Sequence, residues 1–266
     1  MQNTTQTQST DHIQSTNHMQ SPTQTPASFS RTTPTPWARI SARIYDPFLW
    51  FAERRGFRAR RGELLANARG LTLDIGSGTG LNLPHYPRGL ERLVLAEPDA
   101  AMRARLERQA ARLRPEASVI DAPAERLPFA DGTVDTVVST LVLCTVDTPE
   151  LALREIARVL APGGRLLFIE HVRATSRVGT FLQELLATPW RRFANGCRCN
   201  QQTVTMMAAC GFQLDVSEAT WRGMPTIVRP LVYGCARYFD PGSDRAAESA
   251  PAVGAAGGER SSHGHR

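Results

Sequence analysis

The sequence predicts an α/β fold: a doubly wound, seven-stranded, mostly parallel sheet with helices on both faces. Three observations lead there. Between residues 69 and 172, apolar strand runs alternate with amphipathic helical stretches, a pattern that implies right-handed crossovers around a parallel sheet. The first run ends in a glycine-rich turn, LTLDIGSGTG at residues 71–80. Two further strand candidates, FQLDVSEATW and PTIVRPLVYGCARYF, follow residue 211 and bring the count to seven.

Taken in order, residues 1–36 are Gln, Thr, Ser and Asn with almost no apolar side chains, a composition that cannot support a packed core. They read as a disordered polar tail, and residues 241–266, rich in Ala, Gly, Ser and His, read the same way. Each tail is charge-neutral: Asp11 balances Arg31, and Asp244, Glu248 and Glu259 balance Arg245, Arg260 and Arg266. The formal charge of +6 therefore lies within residues 37–240, which we read as one domain. Within it, residues 37–68 form an N-terminal helical or lid segment, 69–172 the cofactor-binding core, and 173–240 the substrate-side helices and last strands.

In the N-terminal segment Trp37, Ile40, Ile44, Phe48 and Phe51 recur at helical spacings, with Pro47 breaking the run and Tyr45 and Asp46 at its hinge. Five arginines follow between Arg54 and Arg61. They fit either a core-packed helix with a solvated basic face or an interfacial segment, residues 48–61, touching anionic lipid.

The first strand uses Leu71, Leu73 and Ile75. Its turn carries Gly76, Gly78 and Gly80, and a helix pattern is expected just beyond. Glycines there permit left-handed backbone angles and close ligand approach. The spacing is G-x-G-x-G, whereas the dinucleotide fingerprint is G-x-G-x-x-G. Asp74 stands immediately before the turn. An acid there is awkward beside a pyrophosphate but suits a ligand ammonium, such as the methionine end of S-adenosylmethionine, directly or through water.

The second strand, Leu93–Ala96, ends in Glu97, where an acid can accept hydrogen bonds from ribose hydroxyls. Asp99 caps the next helix. Ser118–Ile120 is the third strand. TVDTVVSTLVL is the fourth, and Thr148 is expected to cap the next helix, with Pro149 at its first position and Pro162-Gly163-Gly164 stopping it. The fifth, RLLFIEHV, is apolar until Glu170 and His171, as a buried parallel strand should be. Residues 176–195 look helical, ending near Pro189-Trp190. Pro230 suggests that the last strand is bulged or at an edge. Ligands in such sheets bind beyond the carboxyl ends of the strands, and Asp74, Glu97, Thr140, Leu141, Glu170 and His171 all sit at such ends.

DIGSGTG, the acid of AEPD, AERLPFADGTVDTVVS and LREIARVLAPGGRLLFIEH, in this order, resemble the class I S-adenosylmethionine-dependent methyltransferases, whose fold is Rossmann-like. STLVLCTVDTPE, IEHV, the helix expected to end in PW, then GC and VRPLVYGCA are similar to the methyltransferase-like proteins that include alkyl-thiol S-methyltransferases. The core is also similar to quinone C-methyltransferases and bacterial phospholipid N-methyltransferases. The resemblance implies S-adenosyl-L-methionine as cofactor. Asp74, Gly76, Gly78 and Gly80 would face its methionine part, Glu97 would hold the ribose, and Pro98 would lie against the adenine. The backbone of Ala124 would meet the adenine edge, with Thr140 and Leu141 flanking the sulfonium. Pro123 departs from the acid or amide that many relatives place there.

The resemblance implies methyl transfer to a small lipophilic acceptor, a thiol among them. The alternatives are a phospholipid or quinone acceptor at a membrane surface, or a cofactor-binding protein without turnover. His171 is the candidate base, or a structural histidine of the rim; His85 is a weaker second candidate. Cys144 fits a small apolar filler, and the C-x-C pair Cys197 and Cys199 lacks the second pair of a zinc site. No metal is therefore expected. The modest charge without an aromatic-rich basic stripe argues against a nucleic-acid partner. Five cysteines without a disulfide framework, no run of about 18 apolar residues and no secretory signal pattern point to a cytoplasmic protein, peripheral to a membrane at most. The oligomeric state is not legible.

Overall fold

The computed structural model describes Trp50 and residues 53–239. The expectations for the two tails and for Trp37 to Phe48, Phe51 and Asp240 fall outside these residues. Seven strands form one sheet in the order β3-β2-β1-β4-β5-β7-β6. They are β1 (Leu71–Ile75), β2 (Arg92–Ala96), β3 (Ser118–Ile120), β4 (Val134–Thr140), β5 (Leu160–His171), β6 (Phe212–Thr220) and β7 (Pro230–Tyr238). All neighbours are parallel except β7, which runs antiparallel to both β5 and β6. The chain reverses its winding between β1 and β4, whose registers pair Asp74 with Val138. The crevice above that switch point is where a ligand binds in such sheets.

The helices are α1 (Arg58–Leu65), α2 (Ala100–Leu113), α3 (Pro149–Val159), α4 (Arg177–Phe193) and α5 (Thr203–Ala209). The Asp99 side chain accepts from the backbone N–H groups of Ala101 and Met102 and caps α2 as expected. Thr148 precedes α3 but makes no side-chain cap bond; Pro149 at the first position leaves fewer orphan donors to satisfy. Two apolar clusters hold the sheet. One gathers Leu73, Val94, Val137, Ile156 and Phe168 on one face, and the other gathers Leu65, Leu95, Leu106, Val138 and Leu167 on the opposite face. This alternation along β1, β2, β4 and β5 is what two-sided burial of a parallel sheet requires.

Besides the missing Thr148 cap, four expectations need correction. No α-helix follows the glycine turn; the connection holds a single 3-10 turn, Leu83–His85. Pro84 is its second residue and Pro87 holds Tyr86 in extended geometry (φ −68°, ψ 141°), so the turn stops after one round. Pro189 does not end α4, which runs on to Phe193. The carbonyl it deprives of a partner belongs to Leu185, an exposed residue, where water can serve. β7 is not an edge strand, since it pairs on both sides. Pro230 is tolerated because it is the first residue of the strand. Finally, the basic segment is neither one straight helix nor wholly solvated. A π turn, Glu53–Phe57, kinks at Gly56 (φ 110°) before α1 begins, and Arg61 is buried.

Candidate functional site

The glycine turn folds as a run of left-handed residues, with φ of 54°, 58° and 95° at Gly76, Gly78 and Gly80. Their surroundings separate their roles. A Cβ on Gly76 would lie 2.7 Å from Val142 Cγ2, and one on Gly80 would lie 2.7 Å from Leu83 Cδ1 and 3.1 Å from Leu106 Cδ1. These two glycines let the turn pack onto the protein. At Gly78 a Cβ would meet only the Gly76 carbonyl oxygen, 3.9 Å away. Gly78 alone of the three therefore has room above its Cα.

Glu97, at the end of β2, ties the turn to the next strand. Its Oε2 accepts from the Gly78 N–H at 2.7 Å and its Oε1 from the Asp99 N–H at 2.8 Å. Each oxygen keeps a lone pair for a further donor. Burial pushes the Glu97 carboxyl up to about 7, against the two backbone bonds that favour its anion. Asp74 is buried as well, and burial raises it to about 6. Its oxygens accept from Asn82 Nδ2 at 3.2 and 3.0 Å. The same amide reaches Thr140 Oγ1 at 3.3 Å, joining the ends of β1 and β4 across the switch point.

Sequence reasoning missed what stands behind Asn82. Arg61 donates to Asn82 Oδ1 at 2.6 Å and to Glu53 Oε1 at 2.7 Å, with its guanidinium 4.8 Å above the Phe57 ring. A buried ion pair thus orients the amide that orients Asp74. Arginine is an ordinary surface residue in a basic helix, so nothing in the local pattern marks Arg61. The buried Tyr86 hydroxyl faces the same Asp74 and Asn82 side chains, and its acidity is suppressed chiefly by burial and then by the Asp74 charge.

Thr140 and Leu141 end β4 as expected, and both are half-buried. Leu141 has φ 60°, a strained conformation for a side chain with a Cβ. Glu170 holds the strained turn. Its Oε1 accepts from Ser139 Oγ (2.7 Å), Val142 N–H and Leu143 N–H (both 3.0 Å), and its Oε2 from Cys144 N–H at 3.3 Å. Pro98 is exposed and Ala124 buried beyond β2 and β3 respectively. Arg103 anchors this side through the Glu97 carbonyl and Asp121 Oδ2.

His171 ends β5 with its ring buried. Nδ1 lies 3.4 Å from Cys144 Sγ and 3.5 Å from Cys197 Sγ, and the two sulfurs are 3.8 Å apart. Nε2 has no hydrogen-bond partner among the described residues, and Trp221 lies obliquely at 5.3 Å between ring centroids. The sequence pairs Cys197 with Cys199 by spacing. The fold instead brings Cys197 to Cys144 and His171, across 53 and 26 residues. The hydrogen bond shared with Cys144 and the adjacent imidazole push the Cys197 thiol down, while the same bond and burial push Cys144 well up. His85 is half-buried on the opposite flank, where burial lowers its basicity.

Behind this rim, Gln183 of α4 is fully buried. Its amide donates to the carbonyls of Cys199 (2.8 Å) and Ile227 (2.9 Å), and its Oε1 accepts from Ala174 N–H at 2.7 Å. It fastens α4 to the end of the sheet. The outer face of α4 is apolar and exposed at Val178 (70%), Phe181 (63%) and Leu185 (62%). No described helix is long and apolar enough to cross a membrane.

A family model described as a methyltransferase domain matches residues 73–168, from within β1 to within β5. The chain is 35% identical over 173 residues to the Homo sapiens thiol S-methyltransferase TMT1A, covering 62% of this chain and 69% of that protein. It is 35% identical over 117 residues to a Cereibacter sphaeroides phosphatidylethanolamine N-methyltransferase, covering 42% of this chain and 56% of the relative. Among solved structures, a geranyl diphosphate methyltransferase in complex with S-adenosylmethionine aligns with a TM-score of 0.56 at 17% identity, over 74% of this chain and 91% of the other. The glycine turn, the acid at the end of β2, the strand order and these relatives agree: the chain belongs to the class I S-adenosylmethionine-dependent methyltransferases.

Proposed function

We propose that this enzyme transfers a methyl group from S-adenosylmethionine to a thiol on a small lipophilic acceptor, in a crevice closed by the 173–240 region. The observation that carries the cofactor half is the empty space over Gly78 beside two buried carboxylates. The similarity to thiol S-methyltransferases over most of their length supports the acceptor half.

The residues present fit the cofactor. Asp74 supplies an anion for an ammonium, held in orientation by Asn82 and Arg61. Glu97 has spare lone pairs for ribose hydroxyls. Pro98 offers an exposed flat face to adenine and Ala124 its backbone edge, while Thr140 and Leu141 line the turn beside the reacting group. The bound cofactor supplies an activated methyl group on a sulfonium. The protein's task is then to position the acceptor and to favour its anion. A thiol of pKa about 8.5 is already partly ionised near neutral pH. His171, beside Glu170 at the end of β5, reaches this turn through Cys144 Sγ, 3.4 Å from its Nδ1.

A panel of acceptors matched in shape but bearing SH, OH or NH2 tests the acceptor class. We expect turnover with the thiol at least tenfold above the others; equal or higher turnover with the amine would sink the thiol reading. A second reading, a lipid acceptor at a membrane surface, is favoured by the exposed apolar face of α4 and by Arg54 stacked over the exposed Trp50 at 4.9 Å. Running the same panel with anionic liposomes separates the two. Co-sedimentation accompanied by methylated lipid selects the membrane reading.

The two carboxyls also predict a pH dependence. Both are raised in the folded protein, so their contribution to stability is largest at acid pH and is lost as pH rises through about 6 for Asp74 and about 7 for Glu97. Cofactor binding has the opposite sign, because an ammonium and two hydroxyl donors favour the anions. Two protons must leave on binding at acid pH, so affinity should be about 100-fold weaker near about pH 5.5 than near about pH 8. Calorimetry in buffers of different ionisation enthalpy would report the released protons. A pH-independent affinity would remove both carboxylates from the cofactor site.

A further inference from the structure

We propose that Cys144, His171 and Cys197 form a zinc site of two sulfurs and one nitrogen, whose fourth position takes the thiolate of the acceptor. The second half of this statement rests on the thiol reading above. The first half does not.

The geometry carries the site. Zinc bound tetrahedrally at about 2.3 Å to sulfur and about 2.05 Å to nitrogen sets its ligands about 3.8 Å apart for two sulfurs and about 3.6 Å for sulfur and nitrogen. The separations here are 3.8 Å between sulfurs and 3.4 and 3.5 Å from sulfur to Nδ1. All three side chains are buried, and all three ligand atoms lie within 4.8 Å of one another. Soft thiolates with an imidazole select zinc over hard cations. Three protein ligands leave one coordination position open, the arrangement of a reactive site rather than a structural one.

The fold goes to some length to build this cluster. Its members come from three separate segments: the turn after β4, the end of β5 and the loop after α4. Cys197 is delivered by two consecutive left-handed residues, Asn195 (φ 49°) and Gly196 (φ 96°). A Cβ on Gly196 would lie 3.2 Å from the Thr145 carbonyl oxygen, so only glycine lets this loop dock so closely on the β4 turn. The Arg198 N–H then closes onto the Cys144 carbonyl at 2.7 Å. Glu170 fixes Cys144 from the other side through its backbone N–H. The same two left-handed residues end α4, with the Gly196 N–H closing on the Arg191 carbonyl at 2.8 Å, so the helix terminus itself sets Cys197 against the β4 turn.

The chemistry follows from the open position. On coordination the acceptor R–SH loses its proton to solvent, because a zinc-bound thiol is deprotonated near neutral pH. The coordinated sulfur's lone pair forms the new S–CH3 bond. The cofactor's S–CH3 bond breaks at the same time, and its electron pair stays on the departing neutral thioether. The methylated product, also a neutral thioether, is a weaker ligand and leaves. On this reading His171 is a metal ligand through Nδ1, with its ring proton on Nε2, and it is not a free base.

The test uses the full chain, stripped with chelator under reducing conditions and then dialysed against zinc chloride. We expect one zinc per chain in the wild type and in Cys199→Ser, and none in the Cys144→Ser/Cys197→Ser double variant. A folded wild type that retains no zinc, or a double variant that retains it fully, overturns the site. Should the double variant fail to fold, cobalt(II) loaded into the wild type decides the matter: tetrahedral d–d bands with thiolate-to-cobalt charge transfer support the site, and an octahedral spectrum overturns it. Adding 2-mercaptoethanol should strengthen the charge-transfer band while ethylene glycol does not; no change overturns the open fourth position. Cofactor affinity of the zinc-free protein is measured alongside. If S-adenosylmethionine fails to bind even with zinc present, the cofactor reading falls and the metal site stands. If zinc is absent but methyl transfer to thiols persists, the metal site falls and the thiol reading stands.

Discussion

Gly78→Val should lower the affinity for S-adenosylmethionine by at least about 100-fold while leaving the protein folded. The reasoning separates two glycines that look alike in sequence. Gly78 has φ 58° and nothing but the Gly76 carbonyl oxygen within 4 Å of a built Cβ. A side chain there strains the backbone by roughly 1–2 kcal/mol, a loss that a domain stable by about 5–15 kcal/mol survives. It projects, however, into the space where the cofactor must approach, beside the Glu97 carboxylate that the Gly78 N–H holds at 2.7 Å. Losing close approach and disturbing a charge-assisted bond of about 1.5–3 kcal/mol together account for two orders of magnitude. Gly80→Ala provides the contrast. Its Cβ would sit 2.7 Å from Leu83 Cδ1 and 3.1 Å from Leu106 Cδ1, so it should lower the melting temperature through overpacking of the core. Calorimetric titration and thermal unfolding of both variants check the pair. If Gly78→Val binds normally, the cofactor does not lie over that glycine.

The contrast also marks what was legible beforehand. The glycine turn, Asp74, Glu97 and the β4 end could be found because each lies at a strand terminus that apolar periodicity locates, and the topology then brings strand termini to one rim. The division of labour among the glycines could not, because it depends on Val142, Leu83 and Leu106 arriving from elsewhere. The same holds for Arg61 and Asn82, which meet across 21 residues, and for Cys144 with Cys197 across 53. Spacing along the chain carries no trace of such pairs. Pro189 and Pro230 misled for another reason: the rule against proline inside an element concerns its missing donor. It lapses where the stranded carbonyl meets water, or where the strand has only begun.

The largest effect on stability should come from Glu170→Leu, which we expect to cost about 4 kcal/mol or more. The carboxylate is fully buried and accepts from Ser139 Oγ and from three successive backbone N–H groups, of Val142, Leu143 and Cys144. Leucine leaves these four donors unpaired in the interior, each at about 1–3 kcal/mol, partly offset because a charge need no longer be desolvated. That desolvation by burial is what raises the Glu170 carboxyl above the usual carboxylate range. Glu170→Gln keeps the volume and one acceptor oxygen, so it should retain the Oε1 bonds and lose little beyond the 3.3 Å contact to Cys144. A small loss of about 1–2 kcal/mol is expected there. Urea unfolding of the two variants measures the difference, and equal stabilities would show that the carboxylate does not hold the turn. The consequence reaches the chemistry, because the turn Glu170 clamps is the one that strains Leu141 into φ 60° and presents Thr140 and Cys144. Cofactor affinity in Glu170→Gln should therefore stay near that of the wild type, whereas Glu170→Leu should weaken it even under conditions where the fold persists. The end of β5 thus has two structural jobs: Glu170 secures the β4 turn, and His171 sets its Nδ1 3.4 and 3.5 Å from the sulfurs of Cys144 and Cys197.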